Sequence, residues 1–178
     1  LPISAIFVEP GKRTVEEVPK ATLRQDDDIV IRVVRTCVCG SDLWFFRGLS
    51  RQAAHSQVGH ESIGVVEEVG AAVESVKPGD FVVVPFPYSC GKCPVCKAGF
   101  ESVCPHGGYF SACQAEYLRV PEADGTVVKV PGSSEDYDDA TLASLLTISD
   151  VMSTGYHAAV SAEVKPGDTA VVMGDGAV

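Results

Sequence analysis

The stretch SCGKCPVCKAGFESVC brings Cys90, Cys93, Cys96 and Cys104 together in the spacing C-x2-C-x2-C-x7-C. Four thiolates this close can close a tetrahedral shell around one metal ion, and a shell with no open position holds structure rather than substrate. Structural zinc suits it best. A rubredoxin-like iron site and disulfides are the alternatives that the spacing leaves. Gly91 and Gly99 suit the tight turns of such a knuckle, and Pro94 and Pro105 stiffen it. A sparser pair lies upstream: Cys39 in CGSDLW and His60 in GHESIGVV, each beside a glycine and close to a carboxylate. Both are metal-ligand types, but a buried thiol and a surface imidazole would read the same way, so the pair leaves its own role open.

Composition narrows the class. The 178 residues, 46% of them hydrophobic, can bury a proper core. A formal charge of −10 makes nucleic acid and anionic membrane poor partners. No apolar run approaches the roughly 20 residues of a membrane helix. The opening LPISAIFV lacks a basic leader and reads as a strand, so the expectation is a cytoplasmic protein. In a reducing compartment, seven cysteines are metal ligands or buried thiols rather than disulfides.

The elements that must position these residues are mostly strands. DIVIRVVRTCV (Asp28–Val38), SIGVVEEVG (Ser62–Gly70) and DFVVVPF (Asp80–Phe86) are rich in Val, Ile and Phe and bounded by turn residues. AEYLRV and GTVVKVP follow the knuckle as shorter strands. Lys77-Pro78-Gly79-Asp80 recurs as Lys165-Pro166-Gly167-Asp168, and Pro-Gly at the two central positions specifies a type II turn. PGSSEDYDD (Pro131–Asp139) predicts a loop leading into a helix. Ala140–Val164 then turns rich in Ala and Leu, with helical stretches. DTAVVMGDGAV predicts a strand running into Gly174-x-Gly176, the start of a glycine turn that lets a dinucleotide pyrophosphate approach a helix. The third glycine of that fingerprint would fall just past Val178. The expectation is a mostly β domain over residues 1–140 and the truncated start of an α/β domain over 141–178.

Four motifs in order now carry a resemblance: CGSD at Cys39, GHE at Gly59, the four-cysteine lobe, and STGY at Ser153 leading to the glycine turn. The sequence resembles the zinc-containing medium-chain alcohol dehydrogenase family, on its threonine dehydrogenase-like and polyol dehydrogenase-like side. The resemblance implies a GroES-like catalytic domain followed by a Rossmann domain, two zincs, and NAD or NADP. It implies hydride transfer between that cofactor and a small alcohol, aldehyde or ketone, in a homo-oligomer. Cys39 and His60 become catalytic-zinc ligands. The third, four positions before the Thr of STGY, is Asp150, where alcohol dehydrogenases usually carry cysteine; one thiolate and one carboxylate still balance Zn²⁺. Glu61 is the rival ligand, and otherwise supports the site alongside Asp42, which would orient His60. Ser41 would take the alcohol proton, Thr154 would contact the nicotinamide, and Gly174 and Gly176 the pyrophosphate. Trp44 and Phe86 would line the substrate pocket. Trp44 also stands where many relatives place a proton-relay histidine, and indole cannot shuttle a proton; His55 is a substitute candidate. The reading of a different class is a non-enzymatic zinc-knuckle module for assembly. On the leading reading, residues 1–178 alone would not turn over.

Overall fold

Runs of Val and Ile build the centre of the structure. The computed structural model describes residues 1–178. β1 is Ile3–Glu9, β2 Lys12–Glu17 and β3 Ile29–Thr36. A single-turn helix, α1, covers Asp42–Phe46 and is followed by β4 (Ser56–Gln57), β5 (Ser62–Val69), β6 (Phe81–Val84) and β7 (Pro87–Tyr88). Then come α2 (Pro94–Lys97), β8 (Gly108–Tyr109), β9 (Tyr117–Val120), α3 (Ala123–Thr126) and β10 (Val128–Val130). Two longer helices follow, α4 (Asp139–Thr147) and α5 (Val151–Ser161).

The main sheet has five antiparallel strands in the order β10-β6-β5-β3-β9. The continuous apolar run of β6 has a direct cause in its two buried faces. Val82 and Val84 pack with Ile29, Ile31, Val66 and Val120, while Phe81 and Val83 pack with Ile63, Leu142 and Leu146. Alternate side chains of a strand point to opposite faces, so a strand covered on both sides must be apolar throughout. Leu142 and Leu146, one turn apart on α4, supply the cover on the second face. A smaller sheet, β2-β1-β4, and the ribbon β7-β8 complete the β structure.

Both Lys-Pro-Gly-Asp turns form alike. Gly79 and Gly167 have φ of +94° and +95°, and each aspartate amide donates to its lysine carbonyl at 3.1 and 3.0 Å. The loop after β10 contains a 3₁₀ turn at Ser134–Asp136, and Asp138 caps α4 by accepting from the Thr141 amide at 2.8 Å. One expected element is absent: residues 168–173 form no strand, and Val171, Val172 and Met173 are exposed. A strand needs a neighbour for its N–H and C=O groups, and no other segment pairs with this one. No helix is long and apolar enough to cross a membrane.

Candidate metal centres

The knuckle cysteines converge as free thiols. Cys93 and Cys96 Sγ are 3.5 Å apart, Cys90 and Cys104 3.6 Å, and the pairs Cys90–Cys96 and Cys93–Cys104 3.9 Å. A disulfide needs about 2.05 Å. A tetrahedron with zinc–sulfur arms of about 2.3 Å has edges of about 3.8 Å, and the four sulfurs match it. Pro94 opens α2, and the Cys96 amide donates to Cys93 Sγ, so the helix turn itself sets that pair. The backbone of Cys90 donates to Cys104 and pulls its thiol down to about 7, while burial pushes Cys96 up to about 12. The knuckle docks on α3: Ser89 Oγ donates to the Gly125 carbonyl at 2.8 Å, and the Ser89 amide donates to Thr126 Oγ1 at 3.2 Å. A β-carbon on Gly125 would lie 2.4 Å from the Ser89 carbonyl oxygen, so only glycine allows this approach.

The second centre draws on three parts of the chain. Cys39 precedes α1, His60 precedes β5, and Asp150 stands in the break between α4 and α5. One donor atom from each of Cys39, His60, Glu61 and Asp150 lies within 4.8 Å of all the others. His60 Nε2 is 3.3 Å from Asp150 Oδ2, and Cys39 Sγ is 3.9 Å from the same oxygen. Asp150 occupies the N-cap position of α5 but gives the backbone no capping bond; its carboxylate turns toward Cys39 and His60 instead. Backbone ties bring the segments together. The Phe86 amide donates to the Ser149 carbonyl at 2.9 Å, and the Cys113 amide to the Gly59 carbonyl at 3.0 Å.

Asp42 contacts both Cys39 and His60. Its Oδ2 accepts from the Cys39 amide at 3.0 Å, and its Oδ1 lies 3.4 Å from His60 Nδ1. That contact with Asp42, working against burial, raises His60 to about 9. Nε2 is thereby the nitrogen turned toward the cluster. Glu61 is 1% exposed, neither of its carboxylate oxygens accepts a well-formed hydrogen bond, and burial raises its pKa. Its neighbours are His60 Nε2 at 3.7 Å and the Cys37 thiol, and a buried carboxylate held by contacts this weak is costly. One cation among these four donors would relieve it, and thiolate, imidazole and carboxylate are zinc's donor set. The residues present therefore fit a zinc ion.

The other sequence candidates surround this cluster unevenly. Ser41 is exposed at the start of α1 and spends no side-chain hydrogen bond on capping it. Phe86 meets His60 edge-on at 6.3 Å between ring centroids. Trp44 is 57% exposed and does not line the 410 Å³ cavity beside His60, which Asp42, Phe45, Gln52, Tyr109 and Phe110 help to form. Thr154 Oγ1 donates to Asp150 Oδ1 at 2.7 Å. Gly174 has φ of +113°, and both it and Gly176 are exposed. Sequence reasoning missed Tyr109, which stacks on Phe86 at 5.9 Å. It also missed the tie from Thr154 to Asp150; the only signal for that was their spacing of four on one helix face.

Residues 25–132 match the family model described as the alcohol dehydrogenase GroES-like domain. The chain belongs to this family. It is 40% identical to an uncharacterised zinc-type alcohol dehydrogenase-like protein of Bacillus subtilis, over 92% of this chain and 47% of the relative. It is 35% identical to a glutathione-independent formaldehyde dehydrogenase of Pseudomonas aeruginosa, over 97% of this chain and 48% of that one. Among solved structures, an alcohol dehydrogenase from Thermus sp. ATN1 superimposes with a TM-score of 0.84 at 31% identity, covering 93% of this chain and 49% of that chain. The chain thus spans about half the length of the relatives it matches.

Proposed function

We propose that this chain is the zinc-binding catalytic part of an alcohol dehydrogenase-like oxidoreductase, working with NAD or NADP on a small alcohol, aldehyde or ketone. The observation that carries the reading is the convergence of Cys39, His60 and Asp150 on one point beside the buried carboxylate of Glu61, which accepts no well-formed hydrogen bond. A purely structural zinc module has no use for this second cluster. Residues 1–140 form the catalytic domain and 141–178 begin the dinucleotide-binding one, with Gly174 and Gly176 at its pyrophosphate turn. The seven free cysteines accord with a cytoplasmic location, and the whole protein is a homo-oligomer.

Cys39, His60 and Asp150 would hold the zinc, which when bound would supply Lewis acidity toward an alcohol or carbonyl oxygen, and a nicotinamide cofactor would supply the hydride chemistry. The chain's own residues do the rest. Asp42 fixes the ring of His60 and the amide of Cys39, so two ligands share one support. Ser41 Oγ, beside Cys39 and free of capping duty, accepts the alcohol proton while passing its own to the solvent it is exposed to. Phe86 and Tyr109 shield one side of His60 as a stacked pair. The cavity beside His60 takes the substrate, with Phe45, Val58 and Phe110 offering apolar contact and Gln52, Ser56 and Gln57 polar contact.

The test is metal content per chain after dialysis against a weak chelator. Two zincs are expected in the wild type and one in Cys39→Ala. Wild-type protein with a single zinc, unchanged by Cys39→Ala, would leave only the knuckle filled and refute the catalytic centre.

A further inference from the structure

A carboxylate has two oxygens, and the metal cluster uses one of those of Asp150. Oδ2 faces His60 Nε2 and Cys39 Sγ at 3.3 and 3.9 Å. Oδ1 is engaged elsewhere, by Thr154 Oγ1 at 2.7 Å. We infer that Thr154 is a positioning residue, whose hydroxyl holds Oδ1 of Asp150 so that Oδ2 alone is presented to the metal. The inference rests on reading Cys39, His60 and Asp150 as a metal centre.

The local geometry makes the tie specific. Thr154 lies one helical turn beyond Asp150, and its amide donates to the Asp150 carbonyl at 2.8 Å, which opens α5. Backbone and side chain of Thr154 therefore grip the same residue. Threonine is stiff at χ1, so its hydroxyl is aimed by the helix rather than by chance. Asp150 is 8% exposed and makes no capping bond with its side chain, so solvent does little to orient the carboxylate. A hydroxyl has one proton. Donating it to Asp150 leaves Thr154 only acceptor capacity toward any other group, a nicotinamide amide included.

A carboxylate lets the tie and the metal use different oxygens. A thiolate at position 150 would offer Thr154 only the sulfur that also binds the metal, so the hydroxyl could no longer choose which atom the metal meets. Asp150 and Thr154 thus form one unit, and the value of the hydroxyl depends on which residue stands at 150.

The experiment uses the full-length protein. Zinc affinity is measured by competition with a chromophoric chelator, which separates the tight knuckle zinc from the second zinc. Cobalt is then substituted at the second site, and its visible spectrum reports the ligand arrangement. Thr154→Val should weaken the second zinc by about 10- to 100-fold and alter the cobalt bands, while the knuckle zinc stays. Thr154→Ser, which keeps the hydroxyl, should restore both. In an Asp150→Cys background, Thr154→Val should change both less. Unchanged zinc affinity and cobalt spectrum in Thr154→Val would overturn the inference, and so would an equal loss in the Asp150→Cys background. Cys39→Ala separates the two claims. If it fails to remove the second zinc, the metal-centre reading falls; if it removes that zinc while Thr154→Val binds like wild type, only the role of Thr154 falls.

Discussion

Asp42 shows how much one side chain can set. It is 5% exposed, with one oxygen on the amide of Cys39 and the other facing His60. In metal-free protein this contact raises His60 to about 9 from an ordinary 6.5. A histidine raised on folding contributes stability that is complete below pH 6.5 and is lost as pH rises through about 9. Asp42→Asn should therefore lower the His60 titration midpoint, read by NMR on metal-free protein, back toward 6.5, and should narrow that alkaline loss. A midpoint that stays near 9 would assign the shift to another group. Cys39 and His60 stood out in the sequence as short motifs beside glycine and acid, while their ligand role, and any role for Asp150, came only from the family resemblance. Tyr109 on Phe86 and Thr154 on Asp150 were not legible there. Each depends on where a side chain points after folding, and no spacing states that.

At the scale of elements, His60 is placed by the residue before it. Gly59 has φ of +91°, in the left-handed region, and a β-carbon there would lie 2.5 Å from Gln114 Cγ and 2.8 Å from the Gln114 amide nitrogen. Gly59→Ala should destabilise the protein by about 1–3 kcal/mol in urea unfolding, from both backbone strain and the clash. It should also weaken the second metal, because relief requires β5 and the Gln114 segment to separate. A variant with wild-type stability and metal content would show that the loop yields freely. The strands of the main sheet were legible for a physical reason: β-branched runs between turns have few alternatives. Asp28–Val38 shortened to β3 at Ile29–Thr36, and GTVVKVP to Val128–Val130, because α3 takes the preceding residues. The strand foreseen at residues 168–173 failed differently. Its composition suits a strand, but pairing is a property of two segments, and composition describes one.

The whole molecule carries a net charge of −10 yet buries an ion pair at the edge of its main core. Arg119 on β9 meets Asp28, which is fully buried and also accepts from the amides of Arg24 and Gln25. Burial alone would raise the Asp28 carboxyl; Arg119 and the two amides outweigh it and hold it below 3.8. A carboxyl lowered in this way stabilises the fold above pH 3.8, and that support goes as pH falls through its lower folded value. Arg119→Met should cost about 1–3 kcal/mol at neutral pH, since it removes the countercharge and leaves Asp28 only its two amide donors. The deficit should shrink in acid, where Asp28 takes up a proton. Chemical denaturation at pH 7 and pH 3 measures both, and an equal deficit at the two values would point to lost packing instead. Finally, the separations along the chain bear on how the protein is made. Cys90 and Cys104 are 14 residues apart, whereas His60 and Asp150 are 90 apart. At a ribosomal rate of about 5–20 residues per second, the four knuckle cysteines are all made within about 1–3 s of the first, whereas His60 waits about 5–18 s for Asp150 and Cys39 about 6–22 s. On the proposed reading, the nascent chain can complete its knuckle while the second cluster still lacks its carboxylate, so the two sites would meet the surrounding metal pool at different times.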